Sequence, residues 1–259
     1  NLNKGYHHQF IRNVLQLNRG PFEEHRSDSL EFHFSEISRL AGVQATDWSW
    51  GALIADLNND GFKDIFVSNG MFKDVTDQDF IQFIANDSLF LRKTSLTELM
   101  DIWPSQALSN YAFLNNRDLT FTNKAKEWGL GMPGFSNGSA YADLDNDGDL
   151  DIITNNVNKE ASIYRNNTSQ VLPQNKYLKI ILSGEGNNRL GLGAKVIAYY
   201  NNTLSYLEQM PSRGFQSCVD HRLNFGLGDI QKIDSVLIEW PGGKIQLLKN
   251  VAPNQTVVV

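Results

Sequence analysis

Two nine-residue stretches, Asp56-Leu57-Asn58-Asn59-Asp60-Gly61-Phe62-Lys63-Asp64 and Asp143-Leu144-Asp145-Asn146-Asp147-Gly148-Asp149-Leu150-Asp151, carry oxygen side chains at positions one, three, five and nine and glycine at position six. Carboxylates at this density repel one another unless a cation sits among them. Calcium takes roughly six to eight oxygens on a sharply turned backbone, and this spacing offers them. The predicted side-chain ligands are Asp56, Asn58, Asp60 and Asp64 in the first loop and Asp143, Asp145, Asp147 and Asp151 in the second. Phe62 and Asp149, seventh in each loop, would add main-chain carbonyls. An Asp/Asn/Gly turn without metal explains one isolated loop well; two copies matched at four oxygen positions favour two calcium sites.

An EF-hand shares positions one, three, five and six but needs a bidentate Glu at twelve, where this chain has Val67 and Thr154. The flanks also differ from an EF-hand. Ala52-Leu53-Ile54-Ala55 and Ser139-Ala140-Tyr141-Ala142 lead in, and Ile65-Phe66-Val67 and Ile152-Ile153-Thr154 lead out, all of strand character. The predicted unit is therefore strand, metal loop, strand, with Asp64 and Asp151 supplying what Glu supplies in an EF-hand.

That unit is repeated. Phe34, Gly42, Asp56, Gly61, Asp64 and Ile65 recur 87 positions later (143 against 56) as Phe121, Gly129, Asp143, Gly148, Asp151 and Ile152, with no gap. An aromatic strand ending in paired Asn follows each unit: Tyr111 to Asn116 in the first, Ser162 to Asn167 in the second. Asp64 to Asn116 spans 52 positions and Asp151 to Asn167 only 16, so the first repeat holds 36 extra residues (52 − 16). A connection of that length should have structure of its own. Thr76 with Asp79 and Ser95 with Glu98 have capping-box spacing, and Phe80, Phe83 and Ile84 have helical spacing, which predicts a helical insertion over about 71–110.

The Phe-to-Gly lead, the acidic loop and the Asp-Ile strand resemble FG-GAP (VCBS) repeats, the blades of integrin-α-type β-propellers. Asn188 to Ala194, Arg213-Gly214-Phe215, Asn224 to Gly228 and Ile238 to Gly243 resemble the ASPIC/UnbV domain. The pairing is similar to bacterial envelope proteins related to cartilage acidic protein. The resemblance implies an all-β chain: partial propeller blades with calcium hairpins and a helical insertion in 1–170, then a β-sandwich or barrel-like domain in 176–259. Only two full repeats are visible, and Tyr6 to Asn18 resembles the closing strand of an earlier one, so the chain is expected to be a piece of a larger polypeptide. Thr168 to Asn175 reads as a polar, proline-containing link. Strands are expected at Tyr177 to Ser183, Ala194 to Tyr200, Ser235 to Trp240 and Thr256 to Val259, with Pro241-Gly242-Gly243 as a hairpin turn.

The net charge of −6, without a basic stripe, disfavours nucleic acid as a partner. No apolar run approaches the roughly 18 residues of a transmembrane helix. Cys218, the only cysteine, excludes an internal disulfide and reads as a small buried residue. His25 and His33 form no zinc spacing with Cys or Glu, and His7-His8, adjacent on a strand and so facing opposite ways, are expected to be solvent-exposed rather than to bind a transition metal. Trp48 and Trp50 are expected either to pack a blade or to stack on a sugar. The functional expectation is a non-catalytic, calcium-stapled module that binds a glycan or protein ligand in an extracytoplasmic setting, where calcium is abundant. The competing class, part of a polysaccharide-active enzyme, would require two carboxylates outside the loops to meet in a deep cleft.

Overall fold

In the computed structural model, residues 12–21, 32–86 and 94–259 are described. His7, His8, His25 and the Tyr6 to Ile11 part of the anticipated early strand lie outside them. Strands dominate. The first sheet pairs β1 (Gln16–Pro21) with β2 (Phe32–Glu36), and the turn α1 (Ser38–Ala41) follows, closed by Gly42 in the left-handed region.

The first full blade is an antiparallel sheet of β3 (Ser49–Ala55), β4 (Asp64–Asn69), β6 (Tyr111–Asn115) and β7 (Phe121–Asn123) in that order. The second has the order β11-β10-β9, from β9 (Ser136–Ala142), β10 (Asp151–Asn156) and β11 (Ser162–Tyr164). Two residues each of β5 (Leu108–Ser109) and β8 (Pro133–Gly134) form a bridge between them. Each acidic stretch is the loop of a tight hairpin, β3 to β4 and β9 to β10, as the flanks predict. Every residue of β4 is buried, because it runs between two strands with packing on both faces. Leu53, Phe66, Ala112, Leu150 and Ile152 share one core across the two blades.

The insertion is helical, as expected: α2 (Gln78–Asn86) and α3 (Leu96–Ile102). The box at Ser95 and Glu98 forms with both reciprocal bonds. The one at Thr76 and Asp79 does not. Asp77 caps α2 instead, accepting from Phe80 N at 2.9 Å, while Thr76 turns back to Asp74. No described residue of either helix is buried, and Phe80 rests on Trp103 with ring centroids 5.0 Å apart.

After the helical turn α4 (Thr168–Val171) the chain enters β12 (Lys176–Ile181). There β12 lies between β15 (Leu223–Gly228) and β18 (Gln255–Val258), antiparallel to the first and parallel to the second. A second sheet has the order β14-β13-β16-β17, from β13 (Lys195–Tyr200), β14 (Thr203–Glu208), β16 (Ile233–Glu239) and β17 (Ile245–Val251). One core unites the two sheets, including Leu178, Ile180, Val196, Phe225, Val236 and Ile238, so this half is a two-sheet sandwich. Pro241 to Gly243 turns the β16–β17 hairpin, closed by Trp240 N donating to Lys244 O at 2.9 Å. Cys218 is exposed, which corrects the buried reading: Val219 beside it turns inward to the blade core and Cys218 turns out.

Candidate metal centre

The two acidic loops share a backbone as well as a sequence pattern. Gly61 and Gly148 lie at φ 91° and 95°, where a Cβ would be strained, and Asn59 and Asn146 are left-handed at φ 55° and 62°. The first-position carboxylate accepts from the glycine amide in both: Gly61 N to Asp56 Oδ2 at 2.7 Å, Gly148 N to Asp143 Oδ2 at 2.9 Å. The fifth accepts from the seventh: Phe62 N to Asp60 Oδ1 at 2.9 Å, Asp149 N to Asp147 Oδ1 at 3.0 Å.

The ninth position is tied differently. Asp64 accepts from Leu57 N at 3.1 Å and Asn115 N at 2.9 Å, one bond per oxygen. Asp151 repeats this with Leu144 N and Asn166 N at 2.9 and 2.8 Å. These aspartates clamp the two ends of the loop to the next strand. The first Asn of each pair completes the clamp, as Asn115 donates to Lys63 O at 3.0 Å and Asn166 to Leu150 O at 3.1 Å. The paired Asn was visible in sequence; its partner was not.

In the second loop, carboxylate oxygens of Asp143, Asp145 and Asp147 lie within 4.8 Å of one another. Asp143 is 1% exposed, yet its Oδ1 has no hydrogen-bond partner, and neither does the buried Oδ2 of Asp147, whose nearest cation is Arg165 at 3.9 Å. Buried carboxylate oxygens without a donor are costly. A hard cation satisfies them, so the donor set fits calcium. Asp149 belongs to the frame rather than the cluster, its side chain accepting from Asn59 Nδ2 at 2.9 Å and Ser169 N at 2.6 Å. The first loop brings Asp56, Asn58 and Asp60 onto one turn, with Asp60 N donating to both Asp56 Oδ1 and Asn58 Oδ1 at 3.1 and 3.2 Å. Asn58 makes that loop one carboxylate poorer at position three. Arg117 pairs with Asp60 at 2.9 Å and lies over the Phe62 ring.

Electrostatics agree with a site that wants positive charge. Burial raises Asp56 well above the ordinary carboxylate range and pushes Asp64 to about 7. Burial also raises Asp147 and Asp149, with neighbouring aspartates adding to both. Burial and neighbouring negative charge disfavour the ionised form of these groups, and a bound cation would favour it.

The sandwich is seated on these loops, which sequence reasoning missed. Gly226 lies so close to loop one that a Cβ there would overlap the Asp56 carboxylate and stand 2.7 Å from Asn59 Cα. Gly228 N donates to Asn59 O at 2.8 Å, and Asn175 Nδ2 to Asn58 O at 2.8 Å. Asn224 Nδ2 donates to Gly148 O at 3.1 Å, and Arg222 reaches Asp143 O and Asn146 Oδ1, both at 2.7 Å. Trp50 packs on Phe215 of the sandwich at 4.8 Å between centroids and donates to Gly70 O.

Residues 99–154 match the FG-GAP-like repeat family, and residues 184–259 match the ASPIC and UnbV family. The repeat match ends at Thr154, the counterpart of Val67 in the second hairpin, and covers the second loop. Loop one lies outside the matched segment; its left-handed Asn59 and Gly61 and its bonds from the glycine, seventh-position and clamp amides repeat those of loop two. No curated protein matches the chain.

Proposed function

From a chain in which an FG-GAP-like repeat precedes an ASPIC/UnbV domain, we propose a calcium-stapled, non-catalytic binding or scaffolding module that works outside the cytoplasm. The observation that carries this is the second loop: three converging aspartates, two with buried oxygens that no protein donor satisfies. Asp143, Asp145 and Asp147 would hold one ion and Asp56, Asn58 and Asp60 the other. The Phe62 and Asp149 carbonyls and the remaining faces of Asp64 and Asp151 complete the candidate donor set. The chemistry that calcium supplies is neutralisation of clustered charge; every other tie in the loops is made by the chain itself. Affinities of about 10⁻⁴ to 10⁻³ M are usual for extracellular calcium modules, which accords with a setting of abundant calcium.

The non-catalytic reading is supported by where acidic side chains outside the loops lie. Glu208 and Asp220 both line the space between sandwich and blades, but it holds only about 40 Å³, far below a sugar-sized pocket. Asp220 is occupied there by Arg222 at 2.6 Å. Larger hollows are lined by single acids, Glu127 in one and Glu185 in another. Among the described residues no helix is long and apolar enough to cross a membrane. A glycan or protein ligand remains the proposed partner class.

Isothermal titration of chelator-treated protein with calcium should show two sites, and Asp147→Ala should remove one while leaving the loop-one heat. Absence of binding in the wild type up to about 10 mM calcium would sink the reading.

A further inference from the structure

The outer face of the β15-β12-β18 sheet lies across the acidic loops, and one residue of that face changes how the second loop can take a cation. Along β12, Leu178 and Ile180 point into the sandwich core, fully buried. Lys179, between them, points the other way and is 2% exposed. Its ammonium pairs with Asp143 Oδ2. Its register partner on β15 is Asn224, which bonds Gly148 O at 3.1 Å, so two neighbours on one sheet face grip one loop.

Asp143 thus has two unlike oxygens. Oδ2 is taken by Lys179 and by Gly148 N; Oδ1 is buried and has no partner. The equivalent Asp56 in loop one has both oxygens on loop amides, and among the described residues no ion pair joins it to a cation. The loops match in backbone, and at position one this is how they differ.

We propose that Lys179 is a built-in cation of the second loop. It confines Asp143 to binding a metal through Oδ1 alone, weakens that site relative to the loop's acidity, and ties metal loading to the seating of the sandwich. This rests on the calcium reading above. A lysine ammonium beside a divalent ion repels it, and the same ammonium neutralises Asp143 when the ion is absent, so its removal acts in opposite directions on the free and loaded protein. Arg222 cannot stand in for it, because it grips the loop through the Asp143 carbonyl and Asn146 rather than through the carboxylate.

The test is calcium titration of the full chain, wild type against Lys179→Met, by calorimetry and by thermal unfolding. Expected in Lys179→Met are a calcium dissociation constant at loop two lower by on the order of tenfold, and a calcium-induced rise in Tm larger than in the wild type. A wild type that responds beside a Lys179→Met that responds equally or less overturns the role of Lys179 and leaves the calcium reading intact. A wild type that does not respond beside a Lys179→Met that does supports Lys179 as the cation of loop two and removes the metal from that loop in the native chain. Silence in both overturns both. Should Lys179→Met fail to fold, hydrogen exchange on the wild type decides: because the coupling is reciprocal, calcium should slow exchange in the second loop while speeding it in 176–181, and equal protection of both overturns the proposal.

Discussion

Gly226→Ala should destabilise the chain by about 3 kcal/mol and lower its Tm by roughly 6 to 12 °C. Gly226 needs no unusual backbone; what it needs is the absence of a side chain. A methyl there overlaps the Asp56 carboxylate and meets the backbone of Asn59 at 2.7 Å. Neither neighbour yields easily, since Asp56 is held by Asp60 N and Gly61 N and Asn59 O is bonded by Gly228 N. The strand and the loop must part, and the adjoining ties from Asn175 and Asn224 go with them. Gly242→Ala, at a turn where a Cβ meets nothing within 4 Å, is the matched control and should leave Tm within about 1 °C. A Gly226→Ala protein that melts with the wild type would show that the sandwich is not pressed on loop one as described. Phe225 and Leu227 are core, but Gly226 serves a contact with a residue 170 positions away (226 − 56), and no local pattern marks it.

Asp64→Ala should cost about 3 kcal/mol in chelator as well as in calcium. Its carboxylate, 1% exposed, is the sole acceptor shown for Leu57 N and Asn115 N, and a buried amide left without an acceptor costs about 1 to 3 kcal/mol. Asp60→Ala should behave otherwise. It removes a cluster oxygen and an exposed ion pair to Arg117, so most of its cost should appear only when calcium is present. Chemical denaturation of the two variants, each with calcium and with chelator, separates the roles. An Asp64→Ala defect seen only in calcium would mean that the ninth aspartate is first of all a metal ligand.

Much of this molecule was legible in its residues. The spacing of oxygens, the glycine at position six and the strand-forming flanks led to two hairpins, and the structure builds both, with the same bonds to the first, fifth and ninth carboxylates from the glycine, seventh-position and clamp amides. The surplus of residues between Asp64 and Asn116 led to a helical insertion, because no compact β hairpin needs so long a connection. Its caps were half readable: Ser95 and Glu98 close a box, whereas Asp77 outcompetes Thr76 for α2, a choice among adjacent polar residues that spacing alone does not decide. The seat of the sandwich was not readable. Lys179 sits in a strand whose neighbours Leu178 and Ile180 are core, and in sequence a lysine at that position reads as solvent-facing. Its burial follows from a carboxylate 36 positions upstream (179 − 143), a pairing set by how two domains pack. Likewise β14 and β17 have mixed burial patterns, with apolar residues such as Leu204, Ile245 and Leu247 on the exposed side, which blurs the alternation that marks a strand.

The most direct test of the central claim is thermal unfolding of the chelator-treated chain against calcium, with magnesium as control, for the wild type and Asp60→Ala/Asp147→Ala. Calcium at 100 times its dissociation constant should stabilise the wild type by about 2.7 kcal/mol per site and the double variant by almost nothing, with magnesium far weaker in both. Wild-type and variant curves that are indifferent to calcium would contradict the account, leaving two acidic hairpins held by their own hydrogen bonds alone.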